Sequence, residues 1–334
     1  MVFINIFVSS THSSMHSFSE LVTTFSASFN SNDFTGEPAS LYEPGAYFLG
    51  IGGKRIRPVL CLMGCELFDE ITPDAYHVAN AIELFHNFTL IHDDIMDKAP
   101  LRRGMETVHT RYGESTALLT GDVMLIKAYD HINKVGKHIH RIMHLFNKTA
   151  REVCEGQQRD MDFEKQAEVG LAEYIRMIEL KTSVLIAASL EMGAILGGAG
   201  EGNARHLYQF GRHLGIAFQV QDDYLDAFGD PEKFGKKVGG DIVANKKTFL
   251  MIHALEVANT QQREELEHLL TTNEESKVNR VLEIFKRSGV NEWAKQLKDK
   301  YLSTAFQHLE DIAVVSVRKK PLQELAAFLV QRDY

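Results

Sequence analysis

Apolar residues recur at three- and four-residue spacing over most of this chain, the pattern of amphipathic helix. Phe18, Leu21, Val22, Phe25 and Phe29 mark a first helix over residues 16–29. A polar stretch, 30–38, leads to a short helix with Pro44 near its start and Gly50-Ile51-Gly52-Gly53 at its end. An apolar helix over 59–68 follows, then a long one opened by Pro73 that carries residues 81–97. A basic turn closes at Gly104. Further helices are expected over about 121–133, 137–161, 170–196 and 203–226. A Gly- and Lys-rich loop spans 229–245, and the remainder reads as helix with turns near Asn273, Gly289 and Pro321. No segment keeps strand periodicity, and no long linker divides the chain. The expectation is one all-α domain over 15–334, a large helical bundle with its site between facing helices. Residues 1–14 are Ser-rich and patternless, and are expected to be a disordered extension, with Met15 a possible true start.

Two of these helices end in the same way. Leu90-Ile91-His92-Asp93-Asp94-Ile95-Met96-Asp97 closes one, and Phe218-Gln219-Val220-Gln221-Asp222-Asp223-Tyr224-Leu225-Asp226 closes the other. Positions i and i+4 share a helix face, so Asp93 stands beside Asp97 and Asp222 beside Asp226. Like charges this close repel. A divalent cation removes the conflict, and oxygen-only ligation suits Mg2+, which shares its coordination with substrate phosphates. One such motif alone reads as a solvated acidic helix end. Two, each after an apolar run and each followed by basic residues, point to a metal-bridged diphosphate between two helices.

The chain has 334 residues and a net charge of −9, which argues against a nucleic-acid partner and leaves metals to supply positive charge for a phosphate substrate. Only 7 prolines interrupt a composition rich in helix formers. Cys61, Cys65 and Cys154 make no disulfide framework and fit a reducing, cytoplasmic setting. No run of about 18 apolar residues suggests a membrane span. Residues 1–8 lack the basic region of a signal peptide.

Other residues gain meaning beside the two acidic motifs. Lys54 and Arg57 follow a double glycine at a helix start, where backbone approaches an anion closely. Arg102-Arg103-Gly104 sits just past Asp97, and guanidinium forks match phosphate oxygens. His86 lies two turns before Asp93. Lys181-Thr182 falls among apolar residues, where an unpaired lysine is costly. Gln157 and Asp160 follow Gly156. Gln219 precedes the second motif, and Lys236, Lys237 and Lys246 follow it in a loop able to close over phosphate. His140 and His144 have i,i+4 spacing without the intervening Glu of a zinc protease, and read as a solvated or interface helix.

In this order the motifs resemble those of the head-to-tail trans-isoprenyl diphosphate synthases, the polyprenyl synthases. The matching stretches are Gly-Gly-Lys-Arg-Ile-Arg-Pro at 52–58, the first Asp motif with Arg102-Arg103-Gly104, Gly156-Gln157, Lys181-Thr182, Phe218-Gln219 with the second Asp motif, and Gly235-Lys236. The resemblance implies an all-α prenyltransferase, commonly a homodimer, using about three Mg2+ (Mn2+ substituting) to bridge its substrates. It implies that Asp93, Asp97 and Asp222 ligate metal, with Asp94, Asp223 and Asp226 in support. Arg102, Lys181, Thr182, Gln219, Lys236 and Lys246 would hold the allylic diphosphate. Lys54, Arg57, His86 and Arg103 would hold isopentenyl diphosphate. Lys247 stands beside Lys246 where many members carry a small residue, which leaves two candidates for one role.

Product length would be set deeper along the first motif's helix. Phe88 lies about 7.5 Å and Phe85 about 12 Å below Asp93 at ~1.5 Å per residue. Periodicity alone puts Thr89, not Phe88, on the face of Asp93. The resemblance makes Phe88 the floor, and its single aromatic, followed by Thr89, looks most like synthases of geranylgeranyl (C20) diphosphate, with farnesyl (C15) next. A terpene cyclase would replace the second Asp motif, and a non-catalytic partner subunit of a two-component synthase would lose one of the two. Both are intact here.

Overall fold

The computed structural model describes residues 15–29, 34–230, 238–272 and 274–330. The expected N-terminal extension, the Asn273 turn, and Gly235, Lys236 and Lys237 of the loop lie outside the described residues. The helices run α1 (Phe18–Ser28), α2 (Ala39–Gly50), α3 (Ile56–Glu66), α4 (Pro73–Met96), α5 (Val108–Tyr112), α6 (Glu114–Ile132), α7 (Ile139–Lys165), α8 (Leu171–Ile178), α9 (Val184–Leu196) and α10 (Glu201–Phe228). They continue as α11 (Gly240–Val243), α12 (Phe249–Val257), α13 (Thr260–Thr271), α14 (Lys277–Arg287), α15 (Val290–Glu310) and α16 (Ser316–Val330). The all-α expectation holds. The basic turn is itself a minimal antiparallel hairpin, β1 (Leu101–Arg102) with β2 (Met105–Glu106), too short to leave a strand period.

The core forms around α3 and α9, whose residues are apolar on nearly every side. Such helices are buried rather than amphipathic. Leu60, Leu62, Ala188, Leu190 and Met192 are all at most 1% exposed. Glycines let the two backbones touch: a methyl on Gly193 would sit 2.0 Å from the Cys61 carbonyl oxygen, and one on Gly64 would sit 2.5 Å from that of Leu190. The helices α4, α7 and the first half of α10 pack around this pair, and α6 lies along α4. A second cluster, with Phe249, Leu266, Val281, Phe285 and Val290, joins α12–α15 to the far half of α10. The helix bearing the second Asp motif thus spans both clusters.

Three expectations need correction. Pro44 is the sixth residue of α2, not near its start, and Pro321 is likewise the sixth of α16 rather than a turn. Each helix tolerates the lost N–H bond because it is anchored on a buried face, at Phe48 and Leu49 in α2 and at Leu322, Leu325 and Leu329 in α16. The segment expected as a single helix over 170–196 is continuous but widens into a π-helical turn at Glu179–Ser183. Glycines of two neighbours press against that turn. A methyl on Gly156 of α7 would lie 2.3 Å from the Lys181 amide nitrogen, and one on Gly215 of α10 would lie 2.7 Å from Ser183 Cα.

Gly193→Ala should therefore force α3 and α9 apart and destabilise the protein by about 3 kcal/mol. Gly202→Ala, in α10 where no neighbouring atom lies within 4 Å, should be neutral or stabilising by up to ~1 kcal/mol. Urea midpoints of the two variants measure the contrast, and equal midpoints would contradict the close-packed reading.

Candidate active site

The first Asp motif ends α4. Asp97 is its C-cap, and Lys98 adopts a left-handed conformation that turns the chain away. Arg103 and Gly104, at φ 54° and 78°, form the two-residue turn of the hairpin. Turns with positive φ at both central positions match the twist of a tight hairpin. This turn brings Arg102 back onto Asp94. The guanidinium donates from Nε to Oδ2 and from Nη2 to Oδ1, both at 2.8 Å. Asp94 is only 2% exposed, so the pairing is what permits its burial. Among the described residues Asp93 has no such fork. Burial pushes its carboxyl up to about 6, Lys181 and Arg102 pull it down, and Asp97 and Asp94 push it further up.

The second motif, on α10, is divided in the same manner. Asp223 is buried and accepts hydrogen bonds from the Tyr174 hydroxyl and from Gln219 Nε2 at 2.9 Å. Burial outweighs these two bonds and, with Asp241 and Asp222 nearby, holds its carboxyl up at about 7. Gln219 Oε1 in turn accepts from Thr182 Oγ1 at 3.4 Å. Asp226 Oδ2 accepts the Asp241 N–H at 3.0 Å and so fixes the start of α11. Asp223 and Asp226 are committed to neighbouring protein groups. The two motifs share one electrostatic environment. Burial pulls the Lys246 ammonium down, but Asp241, Asp160 and Asp97 outweigh it and hold it above its ordinary range.

Two cationic sets flank these carboxylates. Lys181 leaves the π-helical turn and reaches Asp160 Oδ2 at 2.6 Å, and Lys246 Nζ lies 3.3 Å from Asp241 Oδ1. Lys247 is used elsewhere: its ammonium donates to the carbonyls of Phe163, at 2.8 Å, and Gln166 at the end of α7. Of the two neighbouring lysines, Lys246 is the one directed at the acidic cluster.

The other set gathers where α3 starts. Arg55, at φ 52°, pairs with buried Glu83, whose carboxylate also accepts from Asn87 at 3.0 Å. Arg57 Nη1 donates to His86 Nε2 at 3.1 Å. An arginine only donates, so this ring nitrogen is the acceptor and His86 is neutral. Burial drives His86 well below its ordinary range, and Arg57, Arg103, Arg102 and Arg55 reinforce it. Arg103 lies against the Gly53 backbone, where a methyl would come within 2.9 Å of Nη1. Arg57 Nε is buried with no hydrogen-bond partner among the described residues. Burial lowers the Arg57 guanidinium to about 10, against Glu83 and Asp222. Lys54 is exposed at the edge of this group. Three guanidiniums, those of Arg55, Arg57 and Arg103, with one neutral imidazole and a single buried glutamate, suit an anion with several oxygens.

Below the first motif lies an aromatic wall. Phe85 contacts Phe88 and Phe146 with ring centroids 5.7 and 5.5 Å apart, and Phe146 meets Tyr129 at 5.3 Å. Phe88 also meets His92 at 4.7 Å, whose Nε2–H donates to the Leu118 carbonyl. Thr89 donates its hydroxyl to the His86 carbonyl at 2.8 Å. Of the residues expected at the site, Lys236 and its neighbours Gly235 and Lys237 lie outside the described residues. Arg55, Glu83, Phe146, Tyr174 and Asp241 were not anticipated. Glu83 carried a signal, since an acid inside an apolar helix needs a buried partner.

The polyprenyl synthetase family model matches residues 38–287. The chain belongs to that family. It is 38% identical over 299 residues to the short chain isoprenyl diphosphate synthase of Methanothermobacter thermautotrophicus, covering 89% of this chain and 92% of that one. It is 37% identical to the geranylgeranyl diphosphate synthase of Methanosarcina mazei over 89% of this chain and 91% of the relative. A crystal structure of a geranylgeranyl pyrophosphate synthase superposes with a TM-score of 0.89 at 43% identity, covering 95% of this chain and 99% of the other. As a polyprenyl synthetase the chain is a prenyltransferase of the all-α isoprenyl synthase fold, and both Asp motifs and both cationic sets lie within the matched residues.

Arg102→Ala should leave the Asp94 charge buried without its fork and destabilise the ligand-free protein by about 3 kcal/mol. The adjacent Arg103→Ala should change stability by less than ~0.5 kcal/mol. Adding Asp94→Asn to Arg102→Ala should restore most of the loss. Denaturant titration reads all three, and a mild effect of Arg102→Ala would contradict the pairing role.

Proposed function

We propose that this prenyltransferase condenses isopentenyl diphosphate head-to-tail with allylic diphosphates, in a Mg2+-dependent reaction whose main product is all-trans geranylgeranyl diphosphate, with farnesyl diphosphate next. The observation that carries the proposal is the pairing of two acidic helix ends with two separate cationic sets, one for each diphosphate. A bound cation fits this site. Asp93 is held at about 6 by burial and by its neighbouring carboxylates, and Asp94, Asp223 and Asp226 are each committed to protein partners. By the family resemblance, Asp93, Asp97 and Asp222 would hold the metal, about three Mg2+ with Mn2+ as a substitute. When bound, the metal supplies positive charge to the departing diphosphate.

The protein's own groups do the rest. Lys181, Lys246, Lys236, Arg102 and the Thr182–Gln219 pair hold the allylic diphosphate and stabilise charge as its C–O bond breaks. Arg57, Arg103, Lys54 and neutral His86 hold isopentenyl diphosphate with its double bond toward the resulting carbocation. Attack forms the new C–C bond, and a proton is lost to the departing diphosphate. No protein nucleophile takes part. The growing chain runs down α4 toward Phe88 and Phe85, with Phe146 and Tyr129 behind them. The names of the short-chain and geranylgeranyl relatives support that product range.

The chain from residue 15 onward works as one domain in this reading, as a cytoplasmic homodimer. Exposed Leu118, Leu119 and Ile126 on α6 support a partner surface there. Among the described residues no helix is long and apolar enough to cross a membrane.

Exhaustive chelation should abolish turnover, and Mg2+ or Mn2+ should restore it. Asp93→Ala and Asp222→Ala should each lower kcat by ~10^3 or more, about 4 kcal/mol of barrier. Full turnover without metal, or losses under about tenfold in both variants, would sink the metal assignment.

Phe88→Ala should lengthen the product by at least one five-carbon unit, since removing the ring opens roughly a helical turn of depth, ~5 Å. Phe85→Ala should matter less alone and extend the product further in the Phe88→Ala background. Chromatography of the dephosphorylated products decides, and an unchanged product from Phe88→Ala would put the floor elsewhere.

A further inference from the structure

A histidine cluster sits at the other end of α10 from the Asp motif. His206, in the second turn of α10, faces His308, in the last turn of α15, with their Nδ1 atoms 3.2 Å apart. Asp311, the C-cap of α15, places Oδ2 3.9 Å from His206 Nδ1. The three ligand atoms all lie within 4.8 Å of one another. We infer that His206, His308 and Asp311 form a second metal site, for a Zn2+-like transition ion, which ties the start of α10 to the end of α15.

The geometry suits that ion. Two nitrogens bound tetrahedrally at ~2.05 Å from Zn2+ stand about 3.3 Å apart, close to the observed separation. The Asp311 carboxylate needs to close by roughly 1 Å, and it is an exposed side chain free of helix constraints on one side. Two imidazoles and one carboxylate select Zn2+ and its neighbours over Mg2+, which takes oxygen ligands. The fourth position opens to solvent, since the His206 and Asp311 side chains are 38% and 51% exposed.

The surroundings hold the ligands ready. His213 stacks on His308 with centroids 5.4 Å apart and donates its Nδ1–H to the Gln209 carbonyl at 2.8 Å. Asn203 Oδ1 accepts the Ala313 N–H at 3.0 Å and pins the segment after Asp311 to α10. The other facing pair, His77 and His131, has Nδ1 atoms 3.4 Å apart, but among the described residues no carboxylate completes a group of three there. The exposed His140 and His144 likewise form none. From His206 to Asp222 is 16 residues of one helix, about 24 Å at ~1.5 Å per residue. The site is therefore separate from the Mg2+ site.

The test uses the full-length, tag-free protein, stripped of metal and returned to excess Mg2+ so that the Asp motifs are occupied. Co2+ is titrated while the visible absorption of tetrahedral cobalt is followed, and Zn2+ is then added. One equivalent of Co2+ per chain should bind, be displaced by Zn2+, and raise Tm. His308→Ala and Asp311→Asn should each weaken Co2+ by ~10-fold or more and abolish the Tm rise. Asp222→Ala and His140→Ala should leave both intact. Should His308→Ala fail to fold, the exposed Asp311→Asn still reports. Absence of a saturable cobalt signal in the unsubstituted protein overturns the inference, as does an equal signal in Asp311→Asn.

Discussion

The constraint on which this structure depends is the crowding of carboxylates between two helix ends. Asp93, Asp94, Asp97, Asp222, Asp223 and Asp226 crowd one region with Asp160 and Asp241 close by, and burial and neighbouring carboxylates hold Asp93 and Asp223 above the ordinary carboxylate range. The fold answers each in a different way. A guanidinium fork holds Asp94, a tyrosine hydroxyl and an amide hold Asp223, a backbone N–H holds Asp226, and the Lys181 ammonium holds Asp160. These partners orient the helix ends beside Asp93, Asp97 and Asp222, the carboxylates proposed to share a cation. The raised Asp93 carboxyl expresses the same fact: without an added positive charge, ionising it is costly.

Holding charged groups so close requires a scaffold that does not yield. Three glycine contacts supply it. Gly193 lets α9 lie directly on α3, and Gly156 and Gly215 press on the π-helical turn from both sides. A π-helical turn inserts an extra residue into a helix and is frequent at functional sites. Here it aims Lys181 at Asp160 and Thr182 at Gln219. The positions of the lysine and threonine are thus set by backbone packing against α7 and α10.

Much of this was legible in the sequence because helix periodicity is local. The long α4, the paired Asp motifs and the basic segments between them follow from spacing alone. What escaped depends on contacts between distant residues. Nothing within 170–196 announces a π-helical turn, and the glycines packed against it, Gly156 and Gly215, lie on other helices. Arg102-Arg103-Gly104 read as a basic turn, but only the left-handed Arg103 and Gly104 reveal that Arg102 folds back on Asp94. Lys246 carried the role with Lys247 as its rival beside it, and the Phe163 and Gln166 carbonyls occupy Lys247. Pro44 and Pro321 misled because tertiary burial overrides a local breaker. Tyr174, which holds Asp223, had no sequence signal at all.

The central claim is that two acidic helix ends and two cationic sets form one site for joining two diphosphates. The most direct measurement is the product made by the purified chain alone from dimethylallyl and isopentenyl diphosphates with Mg2+. The account predicts linear all-trans geranylgeranyl diphosphate as the main product, with farnesyl diphosphate as the shorter companion. A cyclic hydrocarbon, no condensation at all without a second protein, or a main product of C30 or longer would contradict it.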